Sequence, residues 1–278
     1  MKLCKYLCLI SSLYTFALTA QAVEICGRLN QGELIFGRAD FAAGVYHNAK
    51  EIATTSDGIF MVAFGRDETK DQLLSVIDTS DQEHNFELKI SPTQWNIQNI
   101  KGIPPRKVTP SDADLAAIQK ESKLLGKALK AENTSTFWRS GFIRPVEGRI
   151  SGEFGGQRIM NKVPKSPHRG MDIAAPAGTP VKASADGVIT LTAPDLFYSG
   201  NVVVIDHGFG LQTIYAHLSE IKAVSGQTVK QGDIIGLVGK TGRATGPHLH
   251  WGASLRNIRF NPQSLLDINS NAEKCFTL

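Results

Sequence analysis

From Gly141 onward the chain is a succession of short apolar runs split by Gly and Asp, with no helical periodicity between them. The segments "VKASADGVITLT", "NVVVIDHG", "LQTIYAHLS", "TVKQGDIIGLVG" and "HLHWGASL" have strand length and strand composition, and turn-forming residues follow each one closely. Strands joined without crossover helices pair antiparallel. An antiparallel β domain is therefore expected over residues 141–265, with a short tail at 266–278.

The preceding segments are also β-like. Between Ile25 and about Ser91 run "GELIFGRAD", "GIFMVAFGRD", "QLLSVIDTSD" and "HNFELKIS". In the last, Phe86, Leu88 and Ile90 alternate with polar residues, as a half-buried strand requires. Asp57-Gly58 reads as a hairpin turn. A small β-sandwich-like module over 23–100 is expected. Pro104-Pro105 then ends the strand pattern. Thr109 is placed to cap a helix, with Pro110 at its first position and Asp112 in its first turn. Leu115, Ile118, Leu125 and Leu129 recur at helical spacing, interrupted by Ser122, and predict a helix to about Ala131. The 101–140 stretch reads as a linker whose helix packs on a neighbouring domain. The fold class is mainly β.

Residues 1–22 read as a secretory signal peptide. Lys2 and Lys5 precede an apolar stretch from Tyr6 to Leu18, and Ala20-Gln21-Ala22 is a small-x-small cleavage site. The stretch is short for a membrane span, so no stable membrane insertion is expected after cleavage. Cys4 and Cys8 leave with the signal. Cys26 and Cys275 remain, near the two ends of the mature chain, and are candidates for a disulfide in an exported protein. Hydrophobic residues make up 42% and charged residues 20%, an ordinary globular balance. A formal net charge of +4 is too mild to suggest nucleic-acid binding.

Chemistry concentrates in the histidines. In a strand, His248 and His250 project from one face, with Leu249 on the other. Such a pair is either two solvated side chains or half of a metal site. His168 and Asp172 lie four apart in "SPHRGMD", where Gly170 and Pro176 argue against a helix. His168 is expected on a loop and Asp172 at the start of a strand, and both residue types are ordinary zinc ligands. His217 falls at the end of a predicted strand and His207 before a turn. His47 and His84 are isolated and read as surface residues.

Taken in order, His168-x-x-x-Asp172, Tyr215-Ala216-His217-Leu218 and Thr245-Gly246-Pro247-His248-Leu249-His250 resemble the M23 family of zinc metallopeptidases, the lysostaphin- or LytM-like peptidoglycan endopeptidases. The resemblance runs from about Arg144 to Pro262. The β region ahead of it is similar, more loosely, to the N-terminal module of some exported Gram-negative members. The resemblance implies one Zn²⁺ per chain held by His168, Asp172 and His250, with His217 and His248 beside it as unligated catalytic histidines. Three protein ligands leave a fourth position for water, as a catalytic zinc site requires. The implied reaction is hydrolysis of cross-links between peptidoglycan stem peptides in the periplasm. Arg158 and Asn161 would fall in the groove, Arg158 as a contact for a substrate carboxylate. His207 and Tyr215 read as structural. The alternatives are a non-catalytic activator of cell-wall amidases and a biotinyl- or lipoyl-like carrier, for which no modifiable hairpin lysine is found. The N-terminal module would position the enzyme, bind a partner or cover the groove.

Overall fold

The computed structural model describes residues 23–131 and 133–267. The expected signal peptide, most of the tail and Cys275 lie outside the described residues. Cys26 is buried in the Glu24–Gly27 strand and is disulfide-bonded. Among the described residues no helix is long and apolar enough to cross a membrane.

Two sheets form the N-terminal part. The first joins Glu24–Gly27, Leu34–Arg38 and Ile59–Ala63, and the second joins Lys50–Glu51, Ala42–His47, Gln72–Asp78 and Glu83–Leu88. The first is buried on both faces, which explains why "LIFG" and "IFMVA" read as continuous apolar runs rather than alternating ones. Ile35, Phe60 and Val62 meet Val45, Leu74, Val76 and Leu88 of the second sheet. Leu34, Phe36, Ile59, Met61 and Ala63 point the other way and share a core with Trp138, Leu211, Trp251, Ala253 and Leu255. This three-stranded sheet is thus the middle layer of the molecule. His84 is not isolated: its Nε2 lies 2.9 Å from Asp78 Oδ2, and its ring meets Phe41 edge-on. His47 is half-buried, and burial followed by the nearby Arg256 charge lowers its pKa.

The end of the 23–100 module and the 101–140 linker differ from the sequence expectation in detail. Ile97–Ile100 is a strand that pairs parallel with Gln157–Met160, the one parallel pairing between the described strands. A short helix, Pro105–Val108, precedes the long one at Asp112–Ala128. The cap is Ser111 rather than Thr109. Ser111 Oγ accepts from the Asp114 N–H, and the Asp114 carboxylate accepts from the Ser111 N–H. Apart from the capping residue Asp114, burial is confined to the end of the helix. Leu125, Ala128 and Leu129 cover Leu191, Ala193, Val202, Val204, Ile214 and Ala216, whereas Leu115 is 50% exposed. The break at Ser122 marks where the apolar stripe stops meeting a partner.

The C-terminal part is built on an eight-stranded antiparallel sheet. Its order is Thr228–Val229, Gly187–Leu196, Gly200–Asp206, Leu211–Leu218, His248–Leu255, Met171–Ala174 and Arg149–Gly152, with Ile258–Phe260 pairing the far half of His248–Leu255. Along His248–Leu255, the residues Leu249, Trp251, Ala253 and Leu255 face the shared core. His248 and His250 take the other face. The N-terminal sheets therefore back this strand from behind and do not cover the groove.

Because one core serves both parts, Met61→Ala is expected to cost about 2–5 kcal/mol and to leave a single urea transition seen equally by probes in either part. An early N-terminal transition, with the C-terminal sheet unaffected, would contradict the shared core.

Candidate active site

Register assembles most of the site. In the antiparallel ladder Asp172 lies opposite His250 and Ala174 opposite His248, while Ala216 lies opposite His250 from the other side. Directly opposed residues share a face. Asp172, His248 and His250 therefore meet without help from any loop.

His217 follows Ala216 and in a regular strand would point away. A β-bulge prevents this. Val203 pairs Tyr215 and Asn201 pairs Leu218, so the His217 strand carries one extra residue there. His217 takes a left-handed φ of 65°, uncommon for a non-glycine residue. The ring is thereby returned to the site, with its centroid 4.7 Å from that of His248 and 5.9 Å from that of His250. The bulge is held by the His217 N–H donating to Ser199 O at 2.9 Å and by Nδ1–H donating to Thr241 O at 2.8 Å.

His168 lies on the loop before the Met171–Ala174 strand and is almost fully buried. Its N–H donates to Gly156 O, and Nδ1–H donates to Glu153 O, each at 2.9 Å. That leaves Nε2 as a lone pair, 3.0 Å from both Asp172 Oδ1 and His250 Nδ1. His250 Nδ1 is 2.9 Å from the same Asp172 oxygen. Three donor atoms thus form a triangle with edges of 2.9–3.0 Å. Gly170 makes room for it, since a Cβ there would lie 2.6 Å from His250 Cε1.

The donor set fits a zinc ion. Two imidazole nitrogens and a carboxylate oxygen are ordinary zinc ligands, and bond lengths near 2 Å place tetrahedral donors roughly 3.3 Å apart. Protonation states agree. Burial lowers the pKa of His168 and takes that of His250 to about 4. Burial, then the neighbouring His248 and His250, takes His217 to about 3. All three rings are neutral at neutral pH, as ligands and proton acceptors must be. Burial works against ionising Asp172, but its contacts with His168 and His250 hold the carboxyl well below the usual range.

Arg158 completes the carboxylate's surroundings. Its guanidinium donates to Asp172 Oδ2 and, through Nε, to Gln98 Oε1 at 3.2 Å. It is occupied with the aspartate and does not serve as a free contact for a substrate carboxylate. Asn161 turns away, donating to Ile103 O at 2.6 Å. His207 is fully buried between Asp186 O and Thr213 Oγ1, with its pKa pushed down to about 4. Tyr215 is in the core, where its hydroxyl meets Ser184 and Thr213. Both are structural. His248 donates Nδ1–H to Gly246 O at 2.8 Å, and its Nε2 is 3.8 Å from Asp172 Oδ1. The carbonyls that fix the imidazole tautomers (Glu153, Thr241 and Gly246) left no signal in the sequence, because a backbone acceptor carries no side-chain identity.

All five residues fall inside residues 166–262, the stretch matched by the model of peptidase family M23. The chain carries a peptidase family M23 domain. Over 98 residues it is 52% identical to the DD-carboxypeptidase/endopeptidase Mpg of Neisseria meningitidis, covering 35% of this chain and 22% of that protein. Over 120 residues it is 48% identical to the peptidoglycan DD-endopeptidase ShyA of Vibrio cholerae, covering 42% of this chain and 28% of that one. The chain thus spans under a third of the length of either relative. A crystal structure of a putative peptidase M23 from Pseudomonas aeruginosa superposes with a TM-score of 0.68 at 28% identity, over 87% of this chain and 97% of that one. That likeness extends the correspondence from the M23 domain to most of the described fold.

Two outcomes follow. Arg158→Ala is expected to weaken metal binding about 10- to 100-fold, read by chelator competition, because a ligand's outer partner is lost; unchanged affinity would contradict the orienting role. Between pH 6.5 and about 4 the unfolded chain protonates His207 while the native state resists, so stability falls as pH drops through that window. His207→Gln should therefore give a shallower fall in urea midpoint from pH 7 to 5, and parallel slopes would refute the assignment.

Proposed function

We propose that the chain is an exported zinc metalloendopeptidase that hydrolyses peptide cross-links of bacterial peptidoglycan in the periplasm. The observation that carries this reading is the convergence of His168, Asp172 and His250 on one point, with His217 and His248 beside it on the open face of the sheet. The names of the Neisseria and Vibrio relatives support the substrate, and the signal-like N-terminus supports export.

His168 through Nε2, His250 through Nδ1 and one oxygen of Asp172 would hold the zinc. When bound, the ion supplies a water acidic enough to ionise near neutral pH and a Lewis acid for the scissile carbonyl. The chain's own residues do the rest. His217 and His248 each commit Nδ1–H to a backbone carbonyl, so each presents a bare Nε2 to the site. A bare Nε2 accepts a proton from the attacking water and, once charged, donates it to the carbonyl oxygen or the leaving nitrogen. Burial of His217 disfavours its imidazolium, so a proton taken there is readily passed on. Arg158 fixes the orientation of Asp172, while its contacts with His168 and His250 keep it ionised.

The test is digestion of purified sacculi by the zinc-loaded protein, with products identified by mass spectrometry. Cleaved cross-links are expected, and removal of the metal by chelator should abolish them. His217→Ala and His248→Ala are each expected to lower turnover by about 10²- to 10⁴-fold while zinc content stays at the wild-type level. A protein that binds no zinc, or one whose His217→Ala form keeps full activity, would overturn the reading.

A further inference from the structure

The cleft beside the histidines is cationic. A cavity of about 410 Å³ is lined by Arg158, Lys165, Arg169, Arg243 and Arg259, and no carboxylate lines it. Arg158 is neutralised by Asp172. Arg243 stacks on the Tyr198 ring. Arg169 and Arg259 take part in no ion pair and no side-chain hydrogen bond among the described residues.

Register places Arg259 on the catalytic face. It lies opposite Ser254 in the Ile258–Phe260 pairing. His250, Gly252 and Ser254 alternate on one side of their strand, so Arg259 shares that side. Its guanidinium reaches back over Gly252, where a Cβ would lie 3.4 Å from Nη1. The missing side chain of Gly252 leaves the floor open for it. Gly252 is two residues, roughly 7 Å along the strand, from the ligand His250. Arg169 directly follows the ligand His168 and borders the same cavity. Burial, then the charge of Arg169, lowers the Arg259 pKa to about 10. Glu121 borders the adjoining cavity that both arginines also line, but its carboxylate accepts from the Phe197 N–H and pairs with neither. Two like charges so placed are relieved by an anion, and the planar guanidinium fork matches a carboxylate.

We propose that Arg259 and Arg169 form a carboxylate subsite that selects peptides bearing a free carboxylate one or two residues from the scissile bond. An extended peptide advances about 3.3 Å per residue, which sets that reach. The proposal rests on the peptidase reading of the site. It deepens that reading by naming which cross-links fit. In a D-alanyl–diaminopimelate link, the carbon bonded to the scissile nitrogen also bears a free carboxylate. A glycine bridge, or a link whose carboxylate is amidated, offers none.

The experiment uses the full zinc-loaded chain and a pair of synthetic cross-linked peptides that differ only in a carboxylate or carboxamide beside the scissile bond. Wild-type protein is expected to prefer the carboxylate form by about tenfold or more in kcat/KM, as one charge-assisted contact provides. Arg259→Gln and Arg169→Gln should each bring the ratio toward one, while zinc content holds. Arg259→Lys, which keeps charge and loses the fork, should fall between. A ratio unchanged in both glutamine variants overturns the subsite. So does an equal loss on both peptides, which marks a structural role. Should the wild type cleave neither peptide, the peptidase reading fails separately. Equilibrium binding of the same pair then decides the subsite: a preference lost in Arg259→Gln supports it, and equal affinities overturn it.

Discussion

The buried carboxylate of Asp172 organises the site. It takes a guanidinium on one oxygen and two imidazoles on the other. A charge in that position is tolerated only while its partners stay in place. Each partner comes from a different part of the chain. His250 arrives by strand register, His168 by a loop tied to Glu153 and Gly156, and Arg158 from the strand paired to Ile97–Ile100. The aspartate thus links the Gln157–Met160, Met171–Ala174 and His248–Leu255 strands at one point.

Rigidity behind that point comes from the shared core. The Leu34–Arg38 and Ile59–Ala63 strands lie between the N-terminal sandwich and the catalytic sheet, and their two faces feed two cores. Trp251, on the reverse of the His250 strand, is packed in this core. Sites that must hold ligands within fractions of an ångström are best carried on strands backed this way. The N-terminal part therefore contributes stiffness to the catalytic strands. The groove face is approached instead by the end of the Asp112–Ala128 helix, which packs beside Ile214 and Ala216.

Much of this was legible in the residues. The "HLH" alternation and the "HRGMD" loop-to-strand step announced their geometry because strand periodicity is local. The C-terminal strands were legible for the same reason, since Gly and Asp turns bound each one. The bulge at His217 was not. It depends on an extra residue relative to a neighbouring strand, and pairing is a property of two segments. Arg158 was read as a groove residue facing substrate, since nothing in "GGQRIMN" shows that its guanidinium ends on Asp172. The helix cap moved from Thr109 to Ser111 because the reciprocal bond with Asp114, itself held by Arg106, outweighs a hydroxyl followed by proline. Leu115 fitted the apolar stripe by spacing, yet it is exposed, since the helix meets the sheet's apolar cluster only through Leu125, Ala128 and Leu129.

The proposed chemistry depends on where the metal sits. Anomalous diffraction at the zinc edge, on crystals of the zinc-loaded protein, locates the ion independently of any activity. One peak is expected, about 2.0–2.2 Å from His168 Nε2, His250 Nδ1 and an oxygen of Asp172, with His217 and His248 outside bonding distance. A peak held by other residues, or none near Asp172 at full zinc occupancy, would contradict it.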